Sequence, residues 1–136
     1  MSESMEKHFL IPIDIYNKDV FVYIGSVTGL FDELGKLKLS DCQKTTIKEE
    51  ISAVDGNGYT IVLDNGATII WVDEMIDDVN EMFRVLIHEI YHAVQGIYRS
   101  IGVYPNISNE ECYAYLQEYL FSQIVNHLGL QVCLKH

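Results

Sequence analysis

The sequence predicts a small α+β domain spanning residues 1–136, in which a hairpin-containing sheet packs against two long helices. Two observations lead to this prediction. Two β-branched runs joined by a turn signal indicate an antiparallel hairpin at about residues 59–72. Apolar residues at three- and four-residue spacing indicate helices at about residues 77–100 and 108–128. An apolar content of 49% suits one domain with its own core.

The first part of the chain gives weaker structural signals. Val20–Ile24 is β-branched and aromatic and is followed by Gly25, which predicts a strand. Thr28–Leu39 has a loose helical period, but Gly35 interrupts it. Ser40–Ser52 is polar, and its pattern favours neither a helix nor a strand.

The clearest strand signal lies in the middle of the chain. Tyr59–Asp64 and Ala67–Val72 are rich in β-branched and apolar residues, and Asn65 and Gly66 lie between them. An Asn-Gly pair is favoured in type I′ turns, because both residues tolerate a positive φ. We therefore expect a tight hairpin immediately upstream of the first long helix.

The segment that follows the hairpin has helical periodicity. Asp77 or Asp78 can cap its start, where a carboxylate also suits the positive end of the helix dipole. Gly102 and Pro105 end it. The apolar positions that define its buried face are Val79, Met82, Phe83, Leu86, Ile87, Ile90, Ala93, Val94 and Ile97. A last helix is expected from Ser108 to Leu128.

Composition narrows the classes of function. A net charge of −11 argues against binding nucleic acid or anionic membranes, both of which attract basic surfaces. No apolar run approaches the roughly 20 residues of a membrane span, and the polar N-terminus shows no signal peptide. The three cysteines, Cys42, Cys112 and Cys133, are odd in number and widely spaced. We therefore expect no disulfide framework and a cytoplasmic location.

A His-Glu-x-x-His motif lies within the predicted helix at residues 77–100. His88 and His92 are four residues apart, so a helix places both imidazoles on one face, where they can bind one zinc ion. Catalytic zinc keeps one coordination position open for water. Glu89 follows the first histidine and can take a proton from that water as general base.

A catalytic zinc site usually needs a third protein ligand. Glu110 and Glu111, at the start of the last predicted helix, are the leading candidates, and Ala114 shares a helical face with either. Helix geometry alone does not choose between them. The alternative role for Glu111 is a capping box with Ser108. The other possible ligands downstream of the motif are Cys112, Glu118 and His127.

The combination of these motifs resembles the gluzincin type of zinc metallopeptidase in a minimal form. It is similar to short zincin-like proteins encoded by phages and prophages, several of which carry an acidic pair followed by Ala-Tyr. The corresponding residues here are Glu110, Glu111, Ala114 and Tyr115, within a stretch from about residue 85 to 120. The resemblance implies a zinc bound by His88, His92 and Glu111, with Glu110 as the alternative third ligand.

The resemblance also implies how a substrate binds. A sheet is expected beside the motif helix, with an edge strand that pairs with an extended peptide, and Ala67–Val72 is the natural candidate. The chain departs from larger gluzincins, because Ala114 and Tyr115 stand where a Ser-Asp pair would fall. It also lacks room for the additional domain that supplies a histidine proton donor.

Other residues near the motif have weaker assignments. Tyr98 and Tyr115 are candidate oxyanion stabilisers, with packing as the alternative for each. The isolated histidines His8, His127 and His136 are expected on the surface or in packing contacts. The sequence therefore predicts a zinc metallopeptidase acting on a peptide or protein. The alternative is a catalytically inactive, zinc-stabilised protein-binding module.

Overall fold

A computed structural model describes residues 6–74 and 78–129 of the chain. A four-stranded mixed sheet in the order β1-β2-β4-β3 forms its centre. The strands are β1 (Lys7–Ile13), β2 (Lys18–Gly25), β3 (Gly58–Val62) and β4 (Thr68–Asp73). The β1–β2 and β3–β4 pairs are antiparallel, whereas β2 and β4 run parallel. The predicted α+β class, with a small sheet packed against helices, is confirmed.

The hairpin predicted at residues 59–72 is present as β3 and β4, but its turn differs from the prediction. The N–H of Gly66 donates to the carbonyl of Leu63 at 2.8 Å, and the N–H of Leu63 donates to the carbonyl of Ala67 at 2.8 Å. Gly66 has a φ of +87°, and Asn65 lacks the positive φ that a type I′ turn needs. The connection is therefore longer than the two-residue turn that Asn-Gly indicated.

The position of β4 contradicts the expectation that Ala67–Val72 offers the edge strand. β4 pairs with β2 on one side and with β3 on the other, so its backbone groups are already used. Residues 68–72 are all buried, as a central strand requires. The edge strand on this side of the sheet is β3.

Helices α1 (Val27–Leu34) and α2 (Asp41–Ser52) follow β2 and provide the connection that parallel strands need. α1 ends earlier than the sequence predicted, with Gly35 at its C-cap. α2 occupies the polar segment whose pattern was ambiguous. Ser40 and Gln43 form a reciprocal capping box at its start, which satisfies two backbone N–H groups.

The two long helices are α3 (Val79–Ser100) and α4 (Glu110–Leu128), and each begins two residues later than predicted. Asp78 caps α3 by accepting a hydrogen bond from the N–H of Asn80 at 3.0 Å. The sheet separates two apolar clusters, one shared with α3 and α4 and the other with α1 and α2. No helix in the described parts of the chain is long and apolar enough to cross a membrane.

Candidate metal and catalytic site

Helix α3 brings the two motif histidines together on its solvent face. The Nε2 atoms of His88 and His92 lie 3.2 Å apart, and both side chains are exposed. Two nitrogens bound at roughly 2.0–2.1 Å to one tetrahedral zinc lie about 3.3–3.4 Å apart. The spacing therefore fits two ligands of a single ion. The same contact can also be a hydrogen bond between neutral imidazoles, one donating and one accepting.

Glu89 lies between α3 and β3 and is only 6% exposed. The hydroxyl of Thr60 on β3 lies 2.8 Å from Glu89 Oε1 and 3.0 Å from the Glu89 carbonyl oxygen, and it can donate to either. Burying a carboxylate is costly unless it is hydrogen-bonded. Thr60 therefore provides the partner that holds this side chain between α3 and the sheet.

Small residues allow β3 and α3 to approach each other closely beside this site. A Cβ at Gly58 would lie 2.7 Å from Val85 and 3.3 Å from Glu89 Cγ, and a Cβ at Gly96 would overlap Val62. Any larger side chain at either glycine would push the strand away from the helix. Gly96, which lies inside α3, thus has a packing role.

A groove of about 530 Å³ runs between β3 and α3 and contains the motif residues. Its walls are Gly58, Tyr59, Thr60 and Val62 from β3, with His88, Glu89, His92, Gln95, Gly96 and Arg99 from α3. The edge strand, the two imidazoles and the buried carboxylate therefore share one open depression.

The candidate third ligands lie on α4. Glu110 and Glu111 are exposed in its first turn. Within the described residues, neither carboxylate comes within 4.8 Å of both motif imidazoles to form a three-ligand cluster. The capping box considered for Ser108 and Glu111 is also not formed. Instead, Asn106 accepts from the backbone of Ser108 at 2.9 Å and caps the short 3₁₀ turn before α4.

The face of α4 that Ala114 occupies borders α3. A groove of about 370 Å³ between the two helices is lined by Ile87, Ile90, Ala114, Gln117, Glu118 and Phe121. Glu118 is the α4 carboxylate that borders this groove. It lies seven residues after Glu111 and so on the same helical face.

The two tyrosines considered as oxyanion stabilisers line a different groove, which they share with Tyr16 and Cys112. The Tyr98 hydroxyl donates to the carbonyl of Cys112 at 2.8 Å, and burial raises the pKa of this phenol well above its usual value. Tyr115 is 66% exposed. The tyrosine beside the imidazoles is Tyr91, which is 48% exposed.

Tyr91 sits next to His92 with ring centroids 6.2 Å apart, and its hydroxyl accepts a hydrogen bond from Gln95 at 2.8 Å. It occupies a variable position of the motif and lies at the surface rather than in the core. His127 stacks on Phe9 with centroids 4.3 Å apart, a packing contact. His136 lies outside the described residues.

Comparisons of the chain with protein-family models, with curated proteins and with solved structures find no match in any of the three. Sequence reasoning missed Thr60, Gly58 and Gly96, which hold Glu89 and the edge strand against α3. The available signal was a threonine next to the buried Ile61 in β3, on the other face of the strand, where it faces the motif helix.

Proposed function

We propose that this chain is a zinc-dependent metallopeptidase in which His88 and His92 hold the metal and Glu89 is the general base. One observation carries the proposal. The two imidazole nitrogens lie 3.2 Å apart in the groove beside the edge strand β3, and the carboxylate between them in sequence lines the same groove. Any helix brings histidines at this spacing together, so what favours a metal site is the placement of the pair in a groove beside a buried carboxylate and an edge strand.

The donor chemistry suits zinc. Two neutral imidazoles are common ligands of this ion, and a carboxylate completes a frequent catalytic set. The resemblance assigns that carboxylate to Glu111, while Glu118 is the one that borders the groove between α3 and α4. When bound, zinc supplies a Lewis acid that polarises a carbonyl oxygen and makes water more acidic.

Glu89 suits the role of a general base that is held by a hydrogen bond and does not bind the metal itself. Its Oε1 lies within hydrogen-bonding distance of Thr60, and among the described residues no donor binds its second oxygen, Oε2. That free oxygen can accept a proton from water in the groove and later return it to the departing amine. The role of Thr60 is to keep the carboxylate in place.

The edge strand suggests the substrate class. β3 uses one side of its backbone to pair with β4, and its other edge borders the groove. An extended peptide can add to such an edge through main-chain hydrogen bonds, which would bring its carbonyl groups beside His88 and His92. We therefore propose a peptide or protein substrate. The net charge of −11 argues against binding to nucleic acid or to an anionic membrane.

The proposed place of action is the cytoplasm. Cys42 and Cys112 are free and exposed. Exposed thiols persist in a reducing compartment, where glutathione keeps them unpaired. The resemblance to short phage-encoded zincin-like proteins is compatible with a host-cell cytoplasm.

The second candidate function is a protein-binding module that zinc stabilises and that cleaves nothing. The exposed imidazole pair alone would serve it equally well. Glu89 favours the enzyme, because a structural zinc site needs no non-ligand carboxylate and usually has four protein ligands. The position of this carboxylate in the groove is otherwise unexplained.

The deciding experiment compares the wild type with Glu89→Gln on a broad peptide library, with cleavage read by mass spectrometry. Glu50→Gln, an exposed glutamate on α2, is the matched control. Loss of a general base costs on the order of 10²–10⁴-fold in rate, so Glu89→Gln should abolish zinc-dependent cuts that the control retains. Both variants should keep wild-type zinc content.

Three outcomes would contradict this proposal. If the wild type is fully loaded with zinc and cuts nothing, the binding module becomes the better interpretation. If Glu89→Gln cuts as fast as the wild type, Glu89 is not the base. A wild type that binds no zinc at the motif would refute both candidate functions.

A further inference from the structure

A second group of histidine and carboxylate side chains lies on the opposite face of the sheet from α3. Glu6 precedes β1, His8 is on β1, and Glu33 is on α1, and their ligand atoms all lie within 4.8 Å of one another. His8 Nε2 is 3.8 Å from Glu33 Oε1. The His8 ring stacks on Tyr23 of the α1–α2 core, with centroids 6.1 Å apart and planes 11° from parallel.

Tyr23 supplies an independent observation at this cluster. Its side chain is completely buried, yet its hydroxyl has no hydrogen-bond partner among the described residues. A buried hydroxyl without a partner is costly, so it calls for an explanation. The hydroxyl lies against Gly29 at the start of α1, since a Cβ there would overlap it.

The charges around that hydroxyl show what it faces. Burial raises the pKa of Tyr23, and Glu6, which is close enough to the hydroxyl to interact with it, raises it further, as do Glu33 and Glu74. The hydroxyl is therefore directed towards the carboxylate of Glu6 in the cluster, without a well-formed hydrogen bond to it.

We propose that Glu6, His8 and Glu33 form a second cation site, for a divalent metal of the zinc type, with the Tyr23 hydroxyl donating to a carboxylate ligand. One imidazole with two carboxylates suits zinc and neighbouring transition metals rather than calcium or magnesium, which prefer oxygen ligands alone. In the absence of metal, Lys36 partly neutralises Glu33, with Nζ 3.0 Å from Oε1. The bound cation would fasten the start of β1 to α1.

The test uses the double variant His88→Ala/His92→Ala, which removes the motif histidines, so its outcome does not depend on the proposed peptidase site. Zinc is titrated against a competing chelator, and cobalt absorption reports the ligands. The double variant should bind one equivalent. Adding His8→Ala or Glu33→Gln should weaken binding by about 10-fold or more. Glu49→Gln, an exposed carboxylate on α2, should leave it unchanged.

Tyr23→Phe is the sharper variant, because a tyrosine with only a structural role would affect the melting temperature and not the affinity for zinc. Without metal, the variant loses a hydroxyl that makes no well-formed hydrogen bond, so its melting temperature should stay the same or rise. Zinc affinity should nevertheless fall about 10- to 100-fold, as when an outer partner of a ligand is removed. No zinc bound by the double variant, or affinity unmoved by His8→Ala, Glu33→Gln or Tyr23→Phe, would overturn the proposal.

Discussion

Replacing Thr60 by valine tests the contact on which the proposed general base depends. Valine keeps the shape and the β-branch of threonine but has no hydroxyl, so the strand and its packing should persist. What is lost is the donor that lies 2.8 Å from Glu89 Oε1. The carboxylate remains 6% exposed and must then either stay buried without this partner or move into the groove.

The expected loss of stability follows from the type of hydrogen bond that is removed. A hydrogen bond to a charged group is worth about 1.5–3 kcal/mol, and this one is part-buried, so a loss of about 1–2 kcal/mol is expected. The entropy of unfolding scales with chain length, and for 136 residues that loss lowers the melting temperature by about 3–7 °C. Such a shift is readily measured by calorimetry.

The assay compares wild type, Thr60→Val and Thr60→Ser in chelator, so that metal binding does not contribute. Serine keeps the hydroxyl, and we expect its melting temperature to stay near that of the wild type. With a substrate in hand, Thr60→Val should also lower the turnover rate more than substrate affinity, because a displaced base affects the chemical step. Equal melting temperatures for Thr60→Val and the wild type, or equal losses for serine and valine, would refute the reasoning.

Three further predictions concern the metal and the packing of α3. His88→Ala should remove one zinc equivalent per chain, measured by elemental analysis, and should abolish zinc stabilisation through this site. Glu111→Gln should weaken zinc binding at the motif by about 10-fold or more in a chelator competition, and Glu110→Gln should weaken it less. Gly96→Ala should cost about 1–3 kcal/mol in overpacking, partly offset by about 1 kcal/mol of helix propensity. Val62→Ala should rescue it, and additive unfolding free energies in that double-mutant cycle would contradict the close approach of β3 to α3.

The motif helix could be predicted from the sequence because its signals are local. The apolar spacing, the acidic cap at Asp78 and the position of the histidines all depend on residues within a few turns of one another. The same holds for the hairpin, whose strands are neighbours along the chain. A capping signature at Ser40 and Gln43 was also readable, and it would have identified α2 despite its polar composition.

The identity of the edge strand could not be read in this way. It depends on the parallel pairing of β2 with β4, which joins segments separated by two helices. The run Ala67–Val72 has the mostly apolar composition of a strand buried on both faces, which suits the central position that it occupies. β3 is shorter and carries Thr60, a polar residue that suits a strand bordering solvent and a functional groove.

The packing of α4 against α3 bears on the third ligand of the proposed zinc site. α4 runs antiparallel to α3. The carbonyl of Cys112, near the start of α4, accepts a hydrogen bond from Tyr98 near the end of α3. The ring of Phe121, further along α4, lies 5.9 Å from the ring of Phe83 near the start of α3, measured between centroids. The motif lies between these contacts.

Side chains on a helix tilt towards its N-terminus, so a carboxylate on α4 reaches towards the Tyr98 end of α3 from its own Cα. The carboxylate of Glu118 would thereby reach towards the level of Ala114, which borders the same groove as Ile90 of the motif. Glu111 lies about 10 Å nearer the N-terminus of α4, and its side chain tilts away from the motif. If Glu118→Gln weakens zinc binding more than Glu111→Gln does, the carboxylate ligand comes from the middle of α4. The assignment of Glu111, which rests on the acidic pair before Ala114, would then be wrong.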